Sequence, residues 1–254
     1  ITMTTEAGTG NSSTAYVTSD TDYTFTRLSP ASSYSFSVTA TNADGTSSAA
    51  QDSFGQAPIG VGTDADALTT GLDGSIWVVN DDGNTVQQIV KNDSGVWTAQ
   101  APIGVGTNPD ALTTGLDGSI WVANRDDNTV QQIVKNDSGV WTAQAPIGVG
   151  TNPDALTTGL DGSIWVANRD DNTVQQIVKN DSGVWTAQAA IGVGKHPDAL
   201  TTGQDGSIWV ANERSNTVQQ IANDNGGWTT QVEIGVGKRH NPAALTTGLD
   251  GSIW

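Results

Sequence analysis

The chain has 254 residues, enough for one large β domain or two smaller ones with a substantial core. Its 10 Lys and Arg against 27 Asp and Glu give a formal net charge of −17, which excludes phosphate-rich partners such as nucleic acid and anionic membrane surfaces because they would be repelled. The lack of cysteine excludes disulfides, thiolate metal sites and cysteine nucleophiles, and no apolar run approaches the roughly 20 residues that membrane insertion needs.

The first 50 residues have the pattern of strands and turns. The segment "YSFSVTA" at 34–40 alternates apolar and hydroxyl side chains, which predicts a half-buried antiparallel strand. A second, shorter strand is predicted for "YTF" at 23–25. The sequence "NADG" at 42–45 has the turn residues of a hairpin that would bring in a partner strand.

The spacing Leu28-x-Pro30-x-x-x-Tyr34 is that of a tyrosine corner in a β-sandwich. Together with "VTATNADG" it makes residues 1–50 resemble the second half of a fibronectin type III module. A sandwich of this kind needs about 100 residues, so we expect its early strands to precede Ile1 in a longer polypeptide. The resemblance implies a secreted or cell-surface bacterial protein, with residues 51–65 as the linker into the next domain.

From residue 56 onward the chain repeats a single unit. "IGVG" begins at 59, 103, 147, 191 and 234, and "GSIW" begins at 74, 118, 162, 206 and 251. Residues 101–144 and 145–188 are identical letter for letter. Repeats of about 40–50 residues indicate a propeller or a solenoid.

Each unit contains the signals of four short strands. In the second unit they are "DALTT" (110–114), "SIWVAN" (119–124), "NTVQQIV" (128–134) and "VWTAQAPI" (140–147). The turns between them are rich in Asp, Asn and Gly, and no stretch shows the apolar period of a helix. Four antiparallel strands in 44 residues are typical of a propeller blade.

We therefore predict an all-β fold, with a β-propeller over residues 66–254 after a partial fibronectin type III sandwich. Four complete four-stranded blades are predicted at 66–105, 110–149, 154–193 and 198–236, with part of a fifth at 244–254. Trp121, Trp141 and their equivalents should pack between blades. Because a blade cannot bury both faces alone, further blades are expected beyond Trp254.

The repeat "IGVGTNPDALTTGLDGSIWVANRDDNTVQQI" resembles bacterial propellers of the YVTN, NHL and virginiamycin B lyase-like groups. Lyases of the last group use a histidine base and Mg²⁺ held by glutamates on one rim of the propeller. The repeat region of this chain contains only Glu213 and Glu233, and no glutamate pair flanks His196 or His240. The resemblance therefore implies the fold and leaves that activity unsupported.

Strand alternation assigns the loops to two rims. The first, which we call the inter-blade rim, holds "GVGTNP" (104–109), "RDD" (125–127) and their equivalents. The second, which we call the opposite rim, holds "GLDG" (115–118), "KNDSG" (135–139) and their equivalents. The inter-blade rim is where the units differ most, as expected for a binding surface made by duplication or for drift on solvated loops.

Two groups of residues on the inter-blade rim are candidate sites. The first is an arc of carboxylates that could bind Ca²⁺, which takes about six to eight oxygen ligands. The alternative is that these aspartates are simply solvated turn residues. The arc comprises Asp81, Asp82, Asp126, Asp127, Asp170 and Asp171. A second cluster contains both histidines of the chain and could bind a ligand or exchange protons near neutral pH; it comprises Lys195, His196, Glu213, Arg214, Arg239 and His240. We predict no other cofactor.

Identical blades offer equivalent surfaces, whereas catalysis needs different residues in different roles at one point. We therefore predict a non-enzymatic extracellular module that binds a protein or a glycan, or extends a surface assembly. One alternative is an exported virginiamycin B lyase-like lyase or hydrolase whose catalytic blades follow Trp254. A weaker alternative is the accessory region of a polysaccharide-active enzyme.

Overall fold

A computed structural model describes residues 58–224, 226–237 and 241–254 in full, and the backbone of the strands between residues 2 and 54. The chain divides into two compact units, one of residues 1–60 and 91–98 and the other of residues 61–90 and 99–254. None of the helices in the described residues is long and apolar enough to cross a membrane.

The first unit contains an antiparallel sheet and a short hairpin. Its strands are β1 (Thr2–Ala7), β2 (Ser13–Val17), β3 (Tyr34–Thr39), β4 (Thr41–Asn42), β5 (Gly45–Thr46) and β6 (Ala50–Phe54). The sheet has the order β2-β1-β3-β6, and β4 pairs with β5. The strand predicted at 34–40 is therefore present as β3, and the hairpin lies at the predicted "NADG". The predicted strand at 23–25 and the Leu28–Pro30 part of the corner lie outside the described residues.

The second unit consists of successive antiparallel sheets, which we name blades 1 to 4. Blade 1 contains Ala65–Thr70, Ile76–Asn80, Thr85–Lys91 and Ile103–Gly104, and a strand at Trp97–Ala99 corresponds in sequence to the fourth strand of later blades. Blade 2 contains Pro109–Thr114, Ile120–Asn124, Thr129–Lys135, Trp141–Ala143 and Ile147–Gly148. Blade 3 contains Pro153–Thr158, Ile164–Asn168, Thr173–Lys179, Trp185–Ala187 and Ile191–Gly192. Blade 4 contains Pro197–Thr202, Ile208–Asn212, Thr217–Asp224, Gly227–Thr230 and Ile234–Gly235, with a 3-10 turn at Glu213–Ser215.

Strands one to four of blades 2 to 4 pair in chain order, as a propeller blade requires. Part of a fifth unit follows, in which Thr247 and Ile253 form a β-bridge. The prediction of an all-β propeller with four blades and part of a fifth is confirmed.

The fourth strand differs from its prediction. A continuous strand was expected over 140–147, but the structure has two segments, Trp141–Ala143 and Ile147–Gly148. Both pair with the third strand, where Ala143 is opposite Ile133 and Ile147 is opposite Val130, so the outer edge carries one extra residue. The Gln131 side-chain amide donates to the carbonyl of Gln144 inside the break at 2.9 Å. The prediction of a continuous strand was therefore wrong, because an extra residue interrupts the pairing and the Gln131 side chain bonds a carbonyl in the break.

Tryptophans connect each blade to the next, as predicted. The second-strand tryptophan of one blade meets the fourth-strand tryptophan of the next blade edge to face. The ring centroids are 4.8 Å apart for Trp77 and Trp141, 4.9 Å for Trp121 and Trp185, and 4.7 Å for Trp165 and Trp228. Because the second strand is covered on both sides, all five residues of Ile164–Asn168 are buried.

A hydrogen-bond network explains why "DGSIW" and "QQI" recur together. Asp117 Oδ1 accepts from the Ser119 hydroxyl at 2.5 Å and from the Ser119 backbone N–H at 3.0 Å. The same hydroxyl oxygen accepts from Trp121 Nε1 and from Gln132 Nε2, both at 3.0 Å. The repeated letters thus satisfy the polar groups that the second and third strands bury at the opposite rim.

Threonines connect the first strands of adjacent blades. The Thr113 and Thr158 hydroxyls lie 3.1 Å apart, and the Thr158 hydroxyl donates to the carbonyl of Thr114 at 3.0 Å. Equivalent bonds repeat from blade 1 to the fifth unit. The first strands are therefore neighbours, and the residues that begin them come together at the inter-blade rim.

Candidate functional site

The inter-blade rim is held by backbone contacts between its two kinds of loop. In blade 3 the N–H of Arg169 donates to the carbonyl of Asn152 at 2.9 Å. Asn128, which has a left-handed φ of 55°, connects the blades because its Oδ1 accepts from the N–H of Asn152 at 2.8 Å. The structure thus agrees with the predicted grouping of loops on this rim.

Acidic and arginine side chains alternate where the first strands begin. We call this group the acid–arginine row, and it consists of Asp110, Arg125, Asp154, Arg169 and Asp198. Arg125 lies 3.9 Å from both Asp110 and Asp154. Arg169 Nε lies 3.7 Å from Asp154 and 3.5 Å from Asp198. Each arginine therefore lies between the carboxylates of two neighbouring blades.

The carboxyl groups of the row hold protons more tightly than free aspartate does. Burial and the neighbouring Asp110 raise the pKa of Asp154 to about 6. Burial and the neighbouring Asp154 raise the pKa of Asp198 to about 6 as well. Burial is also the main cause that raises the pKa of Asp110. The arginines oppose these shifts, and the row exchanges protons in the mildly acidic range.

Glu213 extends the row into blade 4. Its Oε2 accepts from Arg169 Nη2 at 2.8 Å, and this hydrogen bond is the main cause that lowers the pKa of Glu213. His196 Nδ1 lies 3.8 Å from the same carboxylate oxygen. No hydrogen bond joins the two side chains, and the glutamate is already held by a guanidinium.

The structure brings together four members of the predicted histidine cluster. The N–H of Glu213 donates to the carbonyl of His196 at 2.8 Å, and the N–H of Arg214 donates to that of Lys195 at 3.2 Å. The side-chain contact within this group is the approach of His196 to Glu213. Arg239 and His240 lie outside the described residues. The cluster as a ligand site stays a prediction.

The predicted carboxylate arc holds the loops of the rim. Asp127 Oδ2 accepts from the N–H of Thr107, and Asp171 Oδ2 from that of Thr151, both at 2.7 Å. In blade 4 the Ser215 hydroxyl takes over this role. Asp126 and Asp170 accept hydrogen bonds from the side-chain amides of Asn108 and Asn152. The pKa of Asp81 is raised, first by burial and then by the negative charges of Asp66 and Asp82.

These hydrogen bonds give the carboxylates a structural use, and calcium binding stays a prediction. In the described part of the chain, no group of three or more His, Cys, Asp or Glu side chains is placed to hold a metal ion.

The sequence does not predict the acid–arginine row directly, because the aspartate of "DALTT" was interpreted only as the first residue of a strand. A signal for it exists. The residue after the second strand is Asp81 in blade 1, Arg125 and Arg169 in blades 2 and 3, and Glu213 in blade 4. This reversal of charge, beside an aspartate repeated at the start of each first strand, indicates ion pairs between blades.

The row presents carboxylate oxygens and guanidinium N–H groups at one place. Together they can donate and accept hydrogen bonds to a polar or hydroxylated ligand. At the blade 4 end, His196 adds an imidazole 3.8 Å from the Glu213 carboxylate. The arrangement is thus suited to the recognition of a polar ligand.

Comparison with known proteins identifies the repeat region. The family model of the virginiamycin B lyase family matches residues 56–254. A search of curated protein sequences finds no match to the chain.

Solved structures are similar in fold. A streptogramin B lyase structure has a TM-score of 0.61 and 21% identity, over 90% of this chain and 74% of that one. Virginiamycin B lyase from Staphylococcus aureus has a TM-score of 0.60 and 19% identity, over 90% and 75%. The periplasmic gluconolactonase of Pseudomonas aeruginosa has a TM-score of 0.59 and 18% identity, over 80% and 64%.

A catalytically inactive variant of the S. aureus lyase has been solved with quinupristin. Identities this low show the fold alone. The family match, by contrast, covers well over half of the sequence. Through residues 56–254 the chain belongs to the virginiamycin B lyase family.

Proposed function

We propose that this chain is a non-enzymatic binding module that uses the lyase-type propeller to hold a polar ligand, a glycan or a polar protein surface, at the acid–arginine row. The observation that carries the proposal is the ion pair between Arg169 and Glu213. The only glutamate near His196 in the described blades is thereby neutralised by a guanidinium at 2.8 Å. Glu213 is thus already engaged in an ion pair with Arg169.

The identity of blades 2 and 3 supports the same proposal. Asp110 and Asp154 come from identical sequence units, as do Arg125 and Arg169. Equivalent groups at regular spacing suit a ligand that also repeats, since several weak contacts then add up to a useful affinity. They do not supply the different roles that one catalytic centre needs.

The test is to measure, by ligand-observed NMR, whether the chain binds any of a panel of neutral oligosaccharides. We expect Arg169→Gln to weaken binding about tenfold or more, because it leaves carboxylates in the row without a partner. Arg214→Gln is the control, since it removes the same charge from the same rim outside the row. Equal effects of the two variants, or no binding to the intact chain, would contradict this use of the row.

A second candidate function is a lyase or hydrolase activity, and the approach of His196 to Glu213 favours it. Quinupristin with Mg²⁺ is the test substrate, and products are followed by chromatography and mass spectrometry. A lyase product keeps the mass of the substrate, whereas hydrolysis adds one water. Turnover that His196→Ala abolishes would establish catalysis and overturn the binding module.

We also propose that residues 1–50 belong to a fibronectin type III module of an exported bacterial protein. The antiparallel sheet β2-β1-β3-β6 and the adjoining hairpin β4–β5 support this proposal. Protease treatment of intact source cells is the test, with an antibody against the repeat as the readout. Protection of the chain inside intact cells would contradict export.

A further inference from the structure

In blades 1 to 3, a lysine at the end of the third strand packs over the tryptophan of the fourth strand. The ammonium lies over the indole ring at 5.4 Å for Lys91 and Trp97, 5.6 Å for Lys135 and Trp141, and 5.4 Å for Lys179 and Trp185. This is the distance of a cation–π contact. Blade 4 keeps the tryptophan as Trp228 but has Asn223 in place of the lysine.

In blade 2 the charge of Lys135 also acts on an aspartate of the preceding blade. Burial acts to raise the pKa of Asp73, but hydrogen bonds from Ser75 and the charge of Lys135 lower it below its ordinary value. The charge of Lys135 thus favours the ionised form of a blade 1 carboxylate, while its ammonium lies over an indole of blade 2. The equivalents of Asp73 and Lys135 in the cleft between blades 3 and 4 are Asp161 and Asn223.

That cleft is open. It holds a cavity of about 350 Å³ at the opposite rim, whose lining includes Leu160, Asp161, Trp165, Asp205, Asn223 and Trp228. Blade 4 differs from blade 3 at two further points here: Ala222 stands where blade 3 has Val178, and the connection to Trp228 is one residue shorter. The Asn223 side chain accepts from the N–H of Gly226 at 3.0 Å and so belongs to its own turn.

The cavity has two carboxylates beside an aromatic ring. Asp161 and Asp205 each use Oδ1 to accept from the serine two residues later. Their Oδ2 atoms have only long contacts of 3.4 Å, to Gln176 and Gln220. Hydrogen bonds from Ser207 lower the pKa of Asp205, which is therefore ionised at neutral pH. Negative charge beside a π-face selects a cation.

We propose that the cleft between blades 3 and 4 binds a primary alkylammonium group, held over Trp228 beside Asp161 and Asp205, in place of the lysine that blades 2 and 3 supply themselves. The site lies on the rim opposite the acid–arginine row and does not depend on the function proposed for that row. Its volume suits a small ligand or a single extended side chain.

Titration of the whole chain with n-butylammonium, followed by ligand-observed NMR, tests the site. We expect saturable binding that n-butanol, of the same size but neutral, does not show. Asn223→Lys restores the lysine of the other blades and should weaken butylammonium binding at least about tenfold. Because blades 2 and 3 already contain this lysine, the variant is expected to fold. Unchanged binding by Asn223→Lys, or equal binding of butanol, would overturn the proposal.

The reverse substitution makes a gain-of-function control. Lys179→Asn removes the lysine between blades 2 and 3, where Asp117, Asp161 and Trp185 are the equivalents of Asp161, Asp205 and Trp228. We expect a second butylammonium site in this variant. An unchanged number of sites, with binding by the parent chain intact, would show that the missing lysine is not what creates the site.

Two further probes identify the source of the ammonium. Cadaverine represents free diamines, and Nα-acetyl-lysine methylamide represents a lysine side chain of a protein. Tighter binding of one of them assigns the site to that source. Failure of both to compete with butylammonium would contradict a site for primary alkylammonium groups.

Discussion

Single residues in this repeat are fixed by contacts that recur in every blade. The second glycine of "IGVG" is an example, since a Cβ on Gly150 would lie 2.7 Å from the side chain of Asn168. Asn168 is fully buried and donates to Thr173 and Gln175, so it cannot move aside. The first glycine, Gly148, has open space around its Cβ position.

Gly150→Ala should therefore destabilise the chain by about 1–3 kcal/mol, because the methyl group overpacks a rigid site. Gly148→Ala should change the free energy of unfolding by about 0.5 kcal/mol or less. Urea denaturation of the two variants measures the difference. Equal losses would contradict the close approach at Gly150.

The carboxyl groups of the acid–arginine row make stability depend on pH. The folded chain raises the pKa of Asp154 to about 6, so between about pH 4 and pH 6 it binds more protons than the unfolded chain. The contribution of this group to stability is thus present at low pH and is lost as the pH rises through 6. Glu213, with a lowered pKa, acts in the opposite direction at more acidic pH.

Asp154→Asn should reduce the fall in melting temperature between pH 4 and pH 7, because the amide has no proton to lose and stays neutral. Relative to the parent chain, the variant's free energy of unfolding should be about 1–2 kcal/mol more favourable at pH 7 than at pH 4. The control is Asp137→Asn in an exposed turn of blade 2. A pH profile that Asp154→Asn leaves unchanged would be inconsistent with the raised pKa.

The blade is the element that the sequence predicts best. Its strand content follows from the alternating pattern and the turn residues, and the consecutive apolar letters of "SIWVAN" indicate a strand covered on both sides. The break in the fourth strand could not be read in the same way. It depends on the Gln131 side chain bonding a carbonyl thirteen residues away, and a periodic pattern carries no such information.

The site was harder to predict than the blade for a related reason. Charged residues at the inter-blade rim were correctly grouped by loop, but the arginine that pairs with Glu213 comes from another blade. Arg169 is 44 residues away in the chain and 2.8 Å away in space. Which side chains meet across blades depends on how the first strands stack, and that is a tertiary property.

Burial in the second strand sets the stability of a blade. Val166 is fully buried between neighbouring blades, whereas Val184 of the same blade is 56% exposed. Val166→Ala should lower the free energy of unfolding by about 1–3 kcal/mol, through lost burial and a cavity. Val184→Ala should cost about 0.5 kcal/mol or less. Thermal unfolding checks the pair, and a similar loss in both would contradict the assignment of the blade core.

At the scale of the whole molecule, stability comes from contacts between neighbouring blades. Each of the three core clusters combines residues of two adjacent blades. The tryptophan contacts and threonine bonds also run from one blade to the next. A repeat of this kind behaves as a row of units joined by equivalent interfaces. The lyase-family fold is thus a scaffold on which single blades can change, as blade 4 has done at both rims.

Residues 101–144 and 145–188 are identical, so one whole repeat can be removed without creating a new sequence at the junction. Deletion of 145–188 connects blade 2 to blade 4 by the same sequence that connects blade 3 to blade 4 in the parent chain. All remaining interfaces keep their side chains. Deleting only residues 145–166 removes half a blade and is the control. Far-UV circular dichroism during heating is the measurement that tests the stacking of equivalent blades most directly. We expect the full-repeat deletion to keep its β signal per residue and to melt cooperatively within about 5 °C of the parent chain. If the full-repeat deletion variant is unfolded, or is no more stable than the half-repeat control, the stacking of equivalent blades is contradicted.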